Sequence, residues 1–524
     1  MRGLLASSIG VTCAVALALP LTPPATAAPA TRTALTAPAT RTAPAPSTPP
    51  ASSGPPTTRA VDPPELPGST QSLPLTPLTR DRDRTTDRDR TTGSDRTLAP
   101  TADQGVTRRE VAHFSMVGVV WDDQDATLHG RVQVRARATN TGVWSGWQDL
   151  ETHNDDAPDP SSTEHTSDQV RGATAPLWVG DSNAVEARVR AERTDRTEET
   201  ARGTRTVETA TPLPSGLHLE LIDPGKAPPT PPLSDARAAP APQAARPARP
   251  ARPARPAESA ESRGSTESTG SVESAEATQT AVANADLALP GATEIAALTH
   301  AETERELLTL RGKQLTDAQR VKPYIGDRPR IVTRRGWGAD ERLRERRFVY
   351  TGKVKAAFVH HSATGNGYTC AQSPSVIRGI YRYHVKSLRW RDIGYNFLID
   401  KCGSIYEGRA GGVAKAVLGA HTLGFNTNSM GIAVLGSFGT AKPSAAALKA
   451  ISRLTAWKLG LYGANPRGKT YLKSGGGNLY RKGKNVRLNV ISGHRDGFAT
   501  ECPGRQLYGK LGTTRATAAR YQGR

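Results

Sequence analysis

At 524 residues the chain is too long for a single hydrophobic core, and its composition limits how much of it can fold. With 40 Pro, 49 Gly and only 36% hydrophobic residues, long stretches bury too little apolar surface to offset the entropy lost on ordering. The net charge of +20 favours polyanionic partners such as acidic wall polymers, anionic lipid or nucleic acid. Because no nucleic-acid-binding motif accompanies the charge, we expect no nucleic-acid partner.

The N-terminus predicts a secretory signal peptide over residues 1–28. Arg2 gives a short basic start, residues 4–21 are largely apolar, and the small residues 25–27 form a plausible cleavage site. The apolar stretch is short and no charge cluster follows it, although an uncleaved anchor stays open as the alternative. No other apolar run is long enough to cross a bilayer, so we expect a secreted, wall-associated protein without a transmembrane segment.

Two stretches have the composition of linkers. Residues 29–104 are rich in Ala, Pro and Thr and contain a charged repeat at 81–92, which predicts a disordered arm. Residues 224–293 include an Ala-Arg-Pro repeat at 245–256, which predicts a semi-rigid polyproline II spacer. We hypothesise that this basic spacer, together with the β-rich region before it, holds the protein on anionic wall polymers. A helical lead-in is expected over residues 294–329.

Between the linkers, residues 105–223 predict an all-β, sandwich-like domain of unknown role. Apolar and polar residues alternate with period two, as at 132–137 and 185–190, with turn residues between the runs. Trp144 and Trp147 could stack on a glycan, but tryptophans in a small β domain more often fill the core. We therefore expect these two side chains in the core.

The last region, residues 330–524, mixes strands with helices and predicts an α/β domain built on one central sheet. Residues 356–359 form an apolar run typical of a buried strand, and Ser373 followed by proline predicts the start of a helix. Residues 445–461 carry apolar side chains at helical spacing. The expected fold class is α/β, with a central mixed β-sheet flanked by helices.

Candidate zinc ligands lie in this domain. A catalytic zinc site uses three protein ligands and an open position. His360 follows the predicted buried strand, and His494 and Cys502 lie eight residues apart in a loop that can present both side chains to one ion. His361 could replace His360, because neighbouring residues of a strand face opposite sides and spacing does not select between them.

The cysteines add a second observation. Cys13 falls in the predicted signal peptide, which leaves three for an exported protein. An odd number suggests one disulfide and one thiol with another task. We hypothesise that Cys370 pairs with Cys402 and that Cys502 is the remaining thiol.

Six ordered blocks over about a third of the chain resemble the family of peptidoglycan recognition proteins and type 2 N-acetylmuramoyl-L-alanine amidases. The blocks are residues 334–339, 358–363, 392–399, 405–409, 419–432 and 493–504. The β-rich region resembles only the N-terminal extensions of secreted actinobacterial amidases. The resemblance implies an enzyme that hydrolyses the lactyl amide between N-acetylmuramic acid and L-alanine.

The resemblance also implies roles for single residues. His360, as the first histidine of its pair, would hold one Zn²⁺ with His494 and Cys502. Tyr395 matches the catalytic tyrosine, and Thr500 matches a residue that assists the developing oxyanion. Without the resemblance, Tyr395 would be read as an ordinary aromatic residue at the start of a strand.

Further matched positions are expected to line a cleft for the stem peptide and muramic acid. They are His384, Trp390, Arg409, His421, Thr422 and Asn426. Arg409 could pair with a stem carboxylate in bidentate geometry, or be a solvated arginine. Arg389 replaces the glycine that precedes the tryptophan in relatives preferring diaminopimelic acid, which leaves stem-peptide preference open. The main alternative function is a receptor that binds peptidoglycan without cutting it; such relatives lack the cysteine ligand.

Overall fold

The computed structural model describes residues 67–78, 103–152, 156–167, 169–200, 203–226 and 275–524. The predicted signal peptide, the charged repeat at 81–92 and the Ala-Arg-Pro repeat at 245–256 lie outside these residues. Among the described helices, none combines the length and the apolar character needed to cross a membrane.

The described residues between 67 and 226 form an all-β domain, as predicted. Its strands are β1 (Ser69–Pro74), β2 (Thr76–Pro77), β3 (Gln104–Trp121), β4 (Gly130–Ala138), β5 (Gln148–Leu150), β6 (Gly172–Ala173), β7 (Leu177–Ala191), β8 (Arg193–Thr200), β9 (Gly203–Ala210) and β10 (His218–Asp223). Eight strands join in the order β1-β10-β3-β7-β4-β5, with β2 and β6 also paired to β3, and β8 and β9 form a separate hairpin. Apolar residues such as Phe114, Val185 and Leu219 are fully buried in its core.

The prediction of disorder over residues 29–104 is wrong for its described part. Strand β1 pairs antiparallel with β10, and β2 pairs with the start of β3. Both strands are short, contain proline and lie at sheet edges, where a missing backbone N–H is tolerated. Such short edge strands can have the composition of a linker, because they are stabilised by pairing with strands that are distant in the sequence.

The prediction that Trp144 and Trp147 fill the core is also wrong. Both side chains are half-buried on the sheet surface and stack with arginines. The guanidinium carbon of Arg188 lies 3.9 Å from the Trp147 ring centroid, and that of Arg135 lies 4.9 Å from it. Arg108 lies 5.2 Å from the Trp144 ring centroid. Arginines on neighbouring strands lie over the two tryptophan rings, so the rings are stabilised by cation–π stacking on the sheet surface and not by packing in the core.

The C-terminal domain contains both element types. Its elements are α1 (Ala275–Ala283), β11 (Glu294–Ile295), α2 (His300–Arg311), α3 (Asp317–Val321), β12 (Ile331–Val332), α4 (Arg334–Trp337), β13 (Ala356–His361), α5 (Ser373–Arg382), β14 (Phe397–Ile399), β15 (Ile405–Glu407), β16 (Ser429–Val434), α6 (Ala445–Gly460), β17 (Lys469–Lys473), β18 (Asn485–Asn489), β19 (Ile491–Gly493), α7 (Arg505–Tyr508) and α8 (Leu511–Tyr521). A π-helical turn, Tyr383–Ser387, continues α5. Helix α1 falls inside the predicted linker 224–293, so that prediction is wrong for its described end.

Seven strands form the central sheet, in the order β11-β12-β15-β14-β16-β13-β19. Strand β13 runs parallel to β16 and β19, whereas β14 and β15 are antiparallel, so the predicted mixed sheet is confirmed. Residues of α6 and α8 cover one face, where Val359 and Ile451 share a fully buried cluster. Helix α5 covers the other face, with Ile377 packed near Leu398.

The β domain packs onto the outer side of α5. Met116 and Ile222 of the β domain belong to the same buried cluster as Ile377 and Tyr383. The Tyr383 hydroxyl donates to the carbonyl of Thr174 at 3.0 Å. A continuous apolar contact of this kind joins the two domains more firmly than the polar contacts usual between domains.

A disulfide joins Cys370 to Cys402, which confirms the proposed pairing. It connects the residues just before α5 to the turn between β14 and β15, with a Cα–Cα distance of 6.2 Å. Cys502 is buried and keeps its thiol. The bridge therefore links the start of α5 to the turn that joins two inner strands of the sheet.

Replacing both bridged cysteines should lower stability. The bridge spans 32 residues, and in the chain-entropy model closing a loop of that length stabilises by roughly 3–4 kcal/mol. We expect a Cys370→Ala, Cys402→Ala variant to lose about 3 kcal/mol of unfolding free energy, measured by denaturant titration. As a control on the pairing, the denatured 524-residue chain, which has four cysteines, should titrate two thiols before reduction. A count of four before reduction would contradict the bridge.

Candidate metal centre and cleft

Two histidines meet because β13 and β19 are parallel neighbours. Val359 lies opposite Gly493, so the next residues, His360 in β13 and His494 directly after β19, lie side by side at the carboxyl ends of the two strands. Their ring centroids are 4.6 Å apart. The loop after His494 returns Cys502, whose Sγ lies 3.7 Å from His360 Nδ1. One ligand atom from each of the three side chains lies within 4.8 Å of the others, and all three are buried.

The structure separates His360 from its neighbour. His361 also belongs to β13, but its Nε2 lies 3.1 Å from a carboxylate oxygen of Glu151, in the β domain. The side chain that joins His494 and Cys502 is that of His360. Alternation along the strand produces this separation, and packing selects the face.

The three side chains fit a zinc ion. Both ring nitrogens of His494 are buried and make no hydrogen bond to any described residue. Burial lowers the pKa of His494 to about 3, so its imidazole is neutral and carries a lone pair. Neutral imidazole and cysteine sulfur are the donors that zinc takes in proteins. We therefore treat the cluster as a metal centre that two histidines and one cysteine would hold.

Three residues predicted to bind substrate contact the metal centre or support the loop beside it. The Thr422 hydroxyl lies 3.3 Å from His360 Nε2 and 3.0 Å from His421 Nδ1. Oδ1 of Asn426 accepts hydrogen bonds from the backbone N–H groups of His421 and Thr422, at 2.7 and 3.0 Å. Partners at the second ring nitrogen fix the orientation and tautomer of a ligating histidine. A role in substrate binding stays a prediction for these residues.

Tyr395 lies beside the same centre, just before β14. Its ring centroid is 5.6 Å from that of His360. Burial, followed by the nearby carboxylate of Asp156, raises the pKa of the Tyr395 hydroxyl well above its ordinary value, so the group is a hydrogen-bond donor. His384 and Trp390 stack on each other with ring centroids 4.5 Å apart, and the His384 ring centroid lies 5.7 Å from that of Tyr395.

His384 is fixed within the wall of the cleft. It is buried, its Nδ1 accepts a hydrogen bond from the Gly394 N–H at 3.1 Å, and burial lowers its pKa to about 3. Its imidazole is therefore neutral, with the proton on Nε2. In this structure His384 and Trp390 hold Tyr395 in place by packing.

Two further predicted residues, Thr500 and Arg409, already have hydrogen-bond partners within the protein. The Thr500 hydroxyl is half-buried and accepts a hydrogen bond from the Cys502 N–H at 3.2 Å. Arg409 is buried and makes two hydrogen bonds, of 2.9 and 2.8 Å, to the carboxylate of Glu164. Its Nε donates to the Ile393 carbonyl at 2.8 Å. Arg409 is thus a carboxylate-binding group and not a solvated arginine.

The β domain contributes an acidic side chain to the site that was not among the predicted residues. Asp156, between β5 and β6, has its Oδ1 3.0 Å from His360 Nδ1 and 3.4 Å from His494 Nδ1. The Tyr395 hydroxyl donates to its other oxygen. An available signal was the run of acidic residues at 151–168 within a strongly basic chain. Distance along the sequence concealed its relation to the histidines.

Comparisons with known proteins assign both domains. Residues 350–505 match the N-acetylmuramoyl-L-alanine amidase family, and residues 56–212 match the Rv3811 N-terminal galactose-binding domain-like family. Peptidoglycan-recognition protein SC2 of Drosophila simulans is 30% identical over 183 residues, which are 35% of this chain and 85% of the relative. Peptidoglycan-recognition protein SC1a of Drosophila melanogaster is 35% identical over 157 residues, 30% of this chain and 70% of the relative.

Two solved structures are also similar to part of the chain. Drosophila PGRP-LB is 27% identical, covering 35% of this chain and 92% of its own, with a TM-score of 0.28. Peptidoglycan recognition protein-LE, solved with tracheal cytotoxin, is 31% identical, covering 35% and 92%, with a TM-score of 0.27. The chain belongs to the family of peptidoglycan recognition proteins and type 2 amidases.

Removing the hydroxyl beside His360 should weaken metal binding. We expect Thr422→Val to lower zinc affinity about 10- to 100-fold, because the partner of Nε2 is lost, and Thr422→Ser to retain it. Competition with a chromophoric chelator measures the affinity. Thr455→Val, a buried threonine of α6 bonded to backbone carbonyls, is the matched control and should leave the affinity unchanged. Equal affinity in Thr422→Val and the wild type would contradict the orienting role.

Proposed function

We propose that the protein is a secreted, zinc-dependent N-acetylmuramoyl-L-alanine amidase. The observation that carries the proposal is the buried group of His360, His494 and Cys502 with Tyr395 above it. The amidase family match over the same residues supports it. Export rests on the expected signal peptide at residues 1–28.

The chemistry follows from what each group can do. A bound zinc ion would polarise the amide carbonyl and lower the pKa of a water molecule. Tyr395, protonated because its pKa is raised, can donate a hydrogen bond to an oxygen that gains negative charge. The Thr500 hydroxyl, next to the Cys502 N–H, is a second polar group near that oxygen.

The peptidoglycan stem supplies a carboxylate that the cleft can hold. Arg409 is buried and donates two hydrogen bonds to the carboxylate of Glu164. The same geometry would suit a carboxyl group of the stem peptide. The names of the relatives support peptidoglycan as the partner. Muramic acid would then lie on the metal side of the stem. The net charge of +20 supports an added attraction to anionic wall polymers.

A receptor that binds peptidoglycan without cutting it is the second candidate. The relatives are named for recognition, and Asp156 lies against the metal-binding histidines. Cys502 and Tyr395 favour the enzyme, because a receptor needs neither a metal ligand nor an oxyanion donor.

Incubation with purified sacculi separates the two. We expect zinc-loaded protein to release soluble peptides with a new N-terminal L-alanine, detected by mass spectrometry, and a chelator to abolish release. Because Asp156 lies against the ligands, the assay should include Asp156→Asn beside the wild type. We expect Cys502→Ser to be inactive and Tyr395→Phe to lose about 10²–10³ in kcat.

Tyr471→Phe, which alters an exposed tyrosine of β17, is the matched control and should keep full activity. Binding to sacculi without release by either the wild type or Asp156→Asn would overturn the amidase proposal in favour of the receptor. Release that persists in chelator would overturn the role of zinc.

A further inference from the structure

Four carboxylates of the β domain contact residues of the C-terminal domain at or near the metal centre. They belong to the acidic segment, defined here as the described residues between 151 and 167. Glu151 contacts His361, and Glu164 forms the bidentate pair with Arg409. Asp159 accepts hydrogen bonds from the Gly424 N–H at 2.9 Å and from the Asn426 side chain at 2.9 Å. The fourth, Asp156, lies at the metal centre.

Asp156 lies close to two of the three side chains of the metal centre. Donors about 2.0–2.3 Å from a tetrahedral zinc lie roughly 3.2–3.7 Å from one another. Asp156 Oδ1 is 3.0 Å from His360 Nδ1 and 3.4 Å from His494 Nδ1, and Cys502 Sγ is 3.7 Å from His360 Nδ1. Asp156 Oδ1 therefore lies about as close to two of the three ligand side chains as a further donor to the same cation would.

A positive charge beside Asp156 would offset the cost of burying its carboxylate. Asp156 is 5% exposed, and its Oδ1 is buried without a hydrogen bond from any described residue. Its other oxygen is used by the Tyr395 hydroxyl. A carboxylate taken out of water without a compensating charge costs several kcal/mol. A metal ion held by the three neighbouring ligands would supply that charge.

We propose that the acidic segment is an internal occupant of the peptidoglycan cleft, with Asp156 as the fourth metal ligand and Glu164 in the carboxylate position at Arg409. The inference rests on the metal and cleft of the proposed function. Four protein ligands leave zinc no open position, as in sites that do no chemistry. Asp156 also engages the hydroxyl of Tyr395, so a single side chain blocks both groups. The described arrangement is then the closed form.

The segment can leave without unfolding either domain. Residues 156–167 contain no strand or helix, whereas the β domain is held to α5 by the separate buried contact around Tyr383. That contact keeps the segment near the cleft and so gives it a high effective concentration. A stem peptide must compete with it, which lowers the apparent affinity in proportion to the open fraction.

Cobalt-loaded full-length protein tests the closed form. We expect the visible d–d absorption of the wild type to change on saturation with a soluble muropeptide, because Asp156 leaves the metal. Asp156→Asn should already show an altered spectrum without muropeptide and bind zinc at least about 10-fold more weakly. Glu186→Gln, an acid-to-amide change on β7 that affects the pair with Arg135, is the matched control and should match the wild type.

Muropeptide affinity, measured by calorimetry on the same proteins, is the second readout. We expect about a 10-fold rise in Asp156→Asn and a further rise when Glu164→Gln is added. A wild-type spectrum unchanged at saturating muropeptide would overturn the proposal without any variant. Equal or weaker muropeptide binding by Asp156→Asn would also overturn it. Neither readout requires cleavage, so failure of the amidase proposal alone would leave both expected results in place.

Discussion

The parallel pairing of β13 with β19 is the constraint on which the site depends. It aligns Val359 with Gly493, which are 134 positions apart in the sequence. His360 and His494 therefore lie side by side at the carboxyl ends of their strands. Every other group is placed relative to these two rings: Cys502 by the loop that returns to them, Tyr395 by the start of β14, and Thr422 by the loop before β16. The hydrogen bonding between the two strands thus sets the distance between the His360 and His494 rings.

Much of the C-terminal domain was predictable because local signals and tertiary structure agree there. The buried run at 356–359 and the start of α5 at Ser373 are expressed directly in the sequence. The choice of His360 over His361 needed the family resemblance, since both are buried and only packing decides which faces Cys502. The roles of Thr422 and Asn426 were not predictable, because hydrogen bonds to a neighbouring loop leave no periodic pattern.

The β domain shows the opposite balance. Its alternating strands were visible, but β1 was hidden by linker-like composition and the Trp144–Trp147 pair by a general preference of tryptophan for cores. The acidic segment was the largest omission. A loop of turns has no periodicity, and its meaning depends on the basic and metal-binding residues that it meets more than 200 positions later.

The position of α5 between the sheet and the β domain has a consequence for dissection of the protein. All residues from Val376 to Arg382 are buried, so this helix has no face made for water. A C-terminal domain expressed alone would expose Tyr383 and its neighbours on the outer side of α5 as an apolar patch, and such patches promote self-association. We therefore expect the C-terminal domain to need the β domain in the same polypeptide in order to stay soluble.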